Sequence, residues 1–103
     1  MNVIAKNIFM QAAIKYPNDR TALMDIFSVL KKNDFSTPQA LKAVFPSLDN
    51  IKYRKKHWVI DIGGNNLRLI AFIQFVNKRI YVKEIVSHAD YDKLIRKYRS
   101  EKE

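Results

Sequence analysis

Three side chains in the second half of the chain have types and spacings suited to phosphate and proton chemistry: Arg68, His88 and Tyr91. Arg68 follows the turn signal Gly63-Gly64-Asn65-Asn66 on an apolar segment. A guanidinium there can clamp a phosphate through two parallel hydrogen bonds and stabilise the charge that builds in a phosphoryl transition state. It can equally be a cross-strand partner for Asp61, a role worth little at an exposed site. His88 stands at the start of the last helical segment, where the helix dipole favours base chemistry and neighbouring Asp90 acts in the opposite sense. An ordinary helix-start residue is the other reading of His88. Tyr91, one helical turn on, can pack its ring in a core and still present its hydroxyl.

A second set of residues suits binding. Lys52, Arg54, Lys55, Lys56 and His57 form a basic run interleaved with Tyr53 and followed by Trp58. Single-stranded RNA asks for this mixture, since its phosphates need cations and its unstacked bases need aromatic partners. A solvated loop is the alternative. Lys93, Arg96, Lys97 and Arg99 make a further patch, read as general electrostatic attraction. The whole chain is basic: 19 Lys and Arg against 10 Asp and Glu give a formal charge of +9, which favours polyanionic partners.

Absences narrow the chemistry. The sequence has no HExxH, no P-loop, no GxSxG and no carboxylate cluster able to hold two metals, so neither a metal nor a cofactor is expected. With no Cys, disulfides, thiolate zinc sites and thiol nucleophiles are excluded together. A nuclease on this chain would direct the RNA 2′-hydroxyl onto the adjacent phosphate, which needs a base, an acid and a cation.

These residues must be positioned by two kinds of element. The first half has helical periodicity: Ile4, Ile8, Ala12 and Tyr16 on one stripe ended by Pro17, then Leu23, Ile26, Phe27 and Leu30 at one-face spacing, with Asn18 or Asp19 as cap. Thr37-Pro38 predicts a capped start for a short third helix with Leu41, Val44 and Phe45 inward. The second half alternates with period two. Trp58, Ile60 and Ile62 alternate with His57, Val59 and Asp61, residues 67–76 read as a long strand, and Asn77-Lys78 reads as a two-residue hairpin turn into residues 80–86. Ser87-His88-Ala89-Asp90 matches a capping box opening a last helix with Tyr91, Leu94, Ile95 and Tyr98 on its apolar face.

Register then sorts the strands into two faces. Asp61 is expected opposite Arg68, Phe72 opposite Lys83, Gln74 opposite Tyr81, and Arg68 opposite Ser87. One face collects Trp58, Ile60, Ile62, Leu69, Ile73, Val82 and Val86 as a core under the N-terminal helices. The other collects His57, Asp61, Arg68, Tyr81, Lys83 and Ile85 as an open basic and aromatic surface. Glu84 falls on the apolar face without explanation. At 103 residues the chain has room for one domain, spanning 1–103, and only residues 100–103 read as disordered. Its longest apolar run, 69–73, cannot span a bilayer, and no secretory signal is present; an intracellular, cytoplasmic protein is expected, without membrane partners.

Read in order, these motifs resemble a known family. Lys42-Ala43-Val44-Phe45-Pro46-Ser47-Leu48-Asp49-Asn50 and Lys56-His57-Trp58-Val59-Ile60 are similar to the middle of HigB-type toxins. So are Gly64-Asn65-x-x-Arg68-Leu69-Ile70-Ala71 and Ile80-Tyr81-Val82-Lys83-Glu84-Ile85-x-x-His88-x-x-Tyr91-Asp92. The resemblance implies an α+β fold of the RelE-like group: N-terminal helices on a small, mainly antiparallel sheet, with a C-terminal helix. It also implies cleavage of mRNA on the ribosome and inhibition by a HigA-type antitoxin carrying a helix-turn-helix domain. By the same resemblance Arg68, His88 and Tyr91 are catalytic and basic residues of the open face hold the RNA, with Lys56 and Lys83 matching by face and neighbourhood. The basic run and the open face add Lys55, His57 and Tyr81 to the RNA-binding set. Leu67 departs from the pattern, since many relatives carry an aromatic there. Two other readings use the same residues: a non-catalytic RNA- or ribosome-binding module, and, more remotely, a structural or DNA-binding partner protein.

Overall fold

The change of period near residue 57 marks the change from helices to sheet. In the computed structural model, which describes residues 1–4 and 6–101, a short strand β1 (Asn2–Ile4) leads into helix α1 (Lys6–Lys15). A turn of 3-10 helix at Pro17–Asp19 connects it to α2 (Arg20–Lys32), and α3 spans Pro38–Val44. The strands β2 (Asp49–Asn50), β3 (His57–Ile62), β4 (Leu67–Gln74) and β5 (Arg79–Ser87) follow, and α4 (His88–Ser100) closes the described chain. The strands form one sheet in the order β1-β5-β4-β3-β2; β1 runs parallel to β5 and the other pairs are antiparallel. The architecture is α+β. No helix among the described residues is long and apolar enough to cross a membrane.

Several local signals act as expected. Thr37 caps α3 by accepting a hydrogen bond from Ala40 N at 3.1 Å, and Pro38 takes the first helical position. Ser87 caps α4 through Asp90 N at 3.2 Å. The face of α2 named by its spacing buries Leu23 and Leu30 fully, with Ile26 and Phe27 half-buried and the Phe27 ring 5.1 Å from that of Phe9. These pack with Ile60, Ile62, Leu69, Ala71, Ile73, Ile80 and Val82 into the main core. Leu67 belongs to it too, 1% exposed, so its side chain serves packing rather than base stacking.

Other expectations need correction. The stripe starting at Ile4 is not all helix: Ile4 pairs in register with Tyr81 as part of β1, and a parallel strand of so few residues leaves little periodicity to read. Asp19 does not cap α2 with its side chain; its Oδ1 accepts a hydrogen bond from Asn66 Nδ2 at 3.2 Å, tying the helical layer to the 63–66 turn. Gly63 adopts φ +61°, a conformation that favours glycine, and a Cβ there would push aside that same Asp19 carboxylate. Val44 is 48% exposed rather than inward. The hairpin after β4 is a four-residue turn at 75–78 with Lys78 at φ 55°, not a two-residue turn at Asn77-Lys78, and β4 stops at Gln74. Ser100 is helical, whereas Lys102 and Glu103 lie outside the described residues.

The longer turn changes the register. Phe72 pairs with Tyr81, Gln74 with Arg79 and Arg68 with Val86. Between them the partners slip by one: Ile70 pairs with Glu84 but Ala71 with Val82, which leaves Lys83 as the extra residue of a β-bulge. A bulge reverses the parity of everything beyond it. Ile85 therefore enters the main core, Val86 turns to the opposite face, and Glu84 leaves the apolar side, which resolves its anomalous position.

The expected open face is partly closed. A second, smaller core of Ile51, Val59 and Ile70 forms on it, and α4 lies across these residues through Tyr91, Leu94, Ile95 and Tyr98, joined by Val86. The sheet is thus covered by α1 to α3 on one side and by α4 on part of the other.

Candidate active site and nucleic-acid surface

At the Gly-turn end of the sheet, Asp61 and Arg68 face each other across β3 and β4, as their spacing suggests, and Asp61 Oδ1 lies 3.1 Å from Arg68 Nε. Arg68 is the one charged side chain buried among the described residues, 9% exposed. Its Nη1 donates to the carbonyls of Asn65 at 3.1 Å and Leu67 at 3.2 Å. The guanidinium lies 5.9 Å from the centre of the Tyr91 ring, which the first turn of α4 lowers over it. Nη2 takes part in none of these contacts. Burial and hydrogen bonding fix the orientation of the guanidinium plane, which is the condition for a preorganised electrostatic site.

Tyr91 is the centre of the charges here. Its hydroxyl is held above the usual phenol range, first by burial and then by the carboxylates of Asp49, Asp61 and Asp92, with Arg68 pulling the other way. The phenol is therefore kept protonated and able to donate. Asp92 also links the group to His88, whose Nδ1 lies 3.5 Å from Asp92 Oδ1 one helical turn away. The His88 side chain is 57% exposed and open to solvent. The structure thus gathers Arg68, Tyr91 and His88 around the start of α4, together with two carboxylates that the sequence reading did not single out, Asp49 and Asp92. Both stand inside the motifs that carry the family resemblance, but nothing in a linear spacing shows that β2 and α4 converge on one phenol. Among the described residues no group of three or more His, Asp or Glu side chains is arranged to hold a metal ion.

The other end of the same face is built differently. His57, Phe72 and Tyr81 are cross-strand neighbours on β3, β4 and β5, with ring centroids 5.4 Å and 5.9 Å apart. All three are half-buried, so ring edges and faces remain accessible. His57 Nδ1 contacts Lys55 O at 3.1 Å, and Lys55 and Lys56 stand beside this row in the loop before β3. Of the five residues expected to hold RNA, Lys55, Lys56, His57 and Tyr81 come together here. Lys83 does not: the bulge places it, exposed, on the edge of β5 beside Gln11 and Lys15 of α1. Phe72 was expected on this face but opposite Lys83, and the shifted register instead makes it the middle ring of the row.

The last turn of α4 reaches the basic loop. Arg54 lies 4.6 Å from the centre of the Tyr98 ring and 3.3 Å from Glu101. Burial raises the Tyr98 phenol, helped by the Glu84 carboxylate and opposed by Arg54. The bulge that moves Glu84 to this face is what brings it near Tyr98. From Arg68 to Phe72 is four residues of β4, or about 13 Å, so two separate polar regions share one face with α4 over the apolar rows between them.

Comparison with known proteins identifies the family. Residues 19–94 match the family model described as HigB_toxin, RelE-like toxic component of a toxin-antitoxin system. The chain is similar to an mRNA interferase HigB of Escherichia coli O6:H1 (strain CFT073), 56% identical over 103 residues and covering 100% of both chains. It is also similar to an mRNA interferase toxin HigB of Escherichia coli K12 and to an mRNA interferase HigB of Shigella flexneri, each 42% identical over 92 residues, 89% of this chain and 88% of the relative. With the family model covering most of the chain and full-length relatives far above chance identity, the chain belongs to the HigB toxin family, the RelE-like toxic components of toxin-antitoxin systems.

Proposed function

We propose that this chain, acting as a single domain, is a cytoplasmic, ribosome-associated endoribonuclease that cleaves mRNA without a metal ion and is silenced by a HigA-type antitoxin carrying a helix-turn-helix domain. Toxicity through mRNA cleavage accords with the family and with relatives bearing the name mRNA interferase. The observation that carries the chemistry is the fixed pairing of Arg68 with Tyr91 at the start of α4, with exposed His88 joined to it through Asp92.

The reaction needs three services. A base removes the proton of the RNA 2′-hydroxyl as its oxygen attacks the adjacent phosphorus. A cation offsets the charge growing on the phosphoryl oxygens, and an acid protonates the departing 5′-oxygen. His88 is exposed and suits the base. Tyr91, kept protonated by burial and nearby carboxylates, suits the acid. Arg68 supplies the cation through Nη2, while Asp61 and the Asn65 and Leu67 carbonyls hold its plane. The products are a 2′,3′-cyclic phosphate on one fragment and a 5′-hydroxyl on the other. His57, Phe72 and Tyr81, with Lys55 and Lys56, hold the flanking single strand by stacking and charge.

Expression of this chain alone is expected to arrest growth and shorten cellular mRNA, and co-expression of the antitoxin to restore both. End analysis of mRNA cleaved on programmed ribosomes then tests the chemistry. Cyclic phosphate and 5′-hydroxyl ends are expected; 3′-hydroxyl ends would point to metal-assisted hydrolysis. Normal growth with soluble toxin and intact mRNA would overturn the reading as a whole.

A further inference from the structure

Beyond the aromatic row, the β3–β4 end of the sheet carries a groove of about 490 Å³ that the reaction above does not use. Its walls include Trp58 and Phe75, whose rings meet edge to face at 5.7 Å, the amide side chains of Asn50, Gln74 and Asn77, and Lys56. We infer that this groove receives a nucleobase of the single-stranded mRNA substrate, turned out of the strand, and reads its hydrogen-bonding edge. The inference rests on the mRNA-cleaving reading and adds a recognition subsite to it.

Three features favour a base over a peptide or a phosphate alone. First, the lining pairs aromatic surface with amides, and amides both donate and accept, as base edges do. Asn50 Nδ2 already donates to His57 O at 2.9 Å, and Asn77 Nδ2 to Gln74 Oε1 at a long 3.4 Å, which leaves Gln74 Nε2 and the Asn50 and Asn77 carbonyls to face a ligand. Second, the groove adjoins the stacking surface. Gln74 stands on the same face of β4 as Phe72, two residues on, whereas Trp58 and Phe75 pack against the side covered by α1 to α3. A strand leaving the row at Gln74 therefore meets the groove around the end of the β3–β4 pair. Third, the charge at its rim suits a polyanion. Lys56 is held at φ 63°, in the left-handed region that a lysine rarely adopts, while its carbonyl accepts a hydrogen bond from Ile73 N at 3.0 Å in the groove wall. That backbone anchors Lys56 at the groove rim, where its long side chain can reach the phosphate beside a bound base.

The test uses the only tryptophan of the chain, Trp58, as its own reporter. Full-length protein is titrated with short single-stranded oligonucleotides carrying 2′-O-methyl groups, which block attack by the 2′-oxygen, and Trp58 fluorescence is followed. Matched oligonucleotides with the same phosphates, each carrying a single abasic sugar at a different position, are the controls, so that one strand loses the base at the groove while stacking on the aromatic row is kept. Base-containing strands are expected to quench Trp58 and to bind about fivefold or more tightly than the strand abasic at the groove, the gain of roughly one stacked base. In Phe75→Ala and in Gln74→Ala/Asn77→Ala this preference shrinks to about twofold or less, the loss of one or two net hydrogen bonds or of the stacking wall; circular dichroism checks the fold. Equal quenching and affinity for every single-abasic strand, no quenching at millimolar strand, or a preference unchanged in both variants each overturn the groove as a base site. Wild-type cleavage on programmed ribosomes is measured alongside: if it is present while base-dependent quenching is absent, the groove falls alone, and if cleavage is absent the mRNA-cleaving reading falls with it.

Discussion

The two ends of the sheet face under α4 solve opposite problems. At the Arg68 end the ionisable groups are drawn in: Arg68 is buried, paired with Asp61, bonded to two carbonyls and roofed by Tyr91. At the His57 end rings and lysines are half or fully exposed, and the principal contacts are ring on ring. Chemistry on a phosphate needs few groups held in one geometry away from bulk water, because fixed dipoles and charges act more strongly there. Holding a flexible strand needs broad, sequence-tolerant surface instead. A single open basic face, the arrangement that strand alternation suggests, would supply the second and not the first. The helix laid across Val59 and Ile70 is what separates them.

This contrast breaks most directly at Arg68. Arg68→Ala should lower single-turnover mRNA cleavage on programmed ribosomes by about a hundredfold or more, the scale of losing one preorganised charge stabiliser. It should also destabilise the fold by about 1–3 kcal/mol in urea unfolding, since the Asn65 and Leu67 carbonyls and Asp61 lose their partner. Stability lost with cleavage unchanged would make Arg68 a purely structural ion pair and favour a binding module.

His88 sharpens the comparison, since it belongs to the reactive end yet is exposed. His88→Ala should slow cleavage by at least about tenfold while stability stays within about 0.5 kcal/mol of wild type. A mutant that folds and cleaves at the wild-type rate removes His88 from the site and leaves Tyr91 and its carboxylates as the proton carriers.

At the other end, Phe72→Ala should weaken binding of single-stranded RNA by about fivefold or more, with the maximal cleavage rate changed less than the affinity. If the rate falls and affinity does not, the row belongs to the chemistry and the division between the two ends is wrong.

The smallest effect expected is on stability at high pH. Tyr91 and Tyr98 both have phenols raised above 10.0 by burial. An unfolded tyrosine loses its proton first, so the stability they contribute is intact below pH 10 and declines as pH rises through that value towards their folded pKa. Urea midpoints between about pH 9 and 11 should fall less steeply for Tyr91→Phe/Tyr98→Phe than for wild type. Identical slopes would mean that α4 leaves its tyrosines as free to ionise as an unfolded chain does.

Much of this was readable before the structure. The helical face of α2, both hydroxyl caps, the pairing of Asp61 with Arg68 and the place of Arg68 after the Gly-turn all follow from local rules, because each depends on residues a few positions apart or joined by a tight turn. The choice between a solvated cross-strand pair and a buried, oriented guanidinium did not follow. It depends on Tyr91, which is 23 residues away in sequence (91 − 68) and meets Arg68 only once α4 folds back across the sheet.

What the sequence alone determined is therefore the four helices, the three long strands and the candidate side chains for the chemistry, since periodicity and capping act within single elements. The strands β1 and β2, of three and two residues, are too short to carry a period. The tertiary structure decided the rest. A four-residue turn and the bulge at Lys83 set which β5 residues meet the reactive face, moving Glu84 onto it and Lys83 to the edge. The small core under α4 decided which of the charged residues are sheltered and which are wet. Both rest on the same physical reason: one inserted residue inverts every side chain beyond it, and the burial of a charge is fixed by whatever element comes to lie on top of it, neither of which is written in the local pattern.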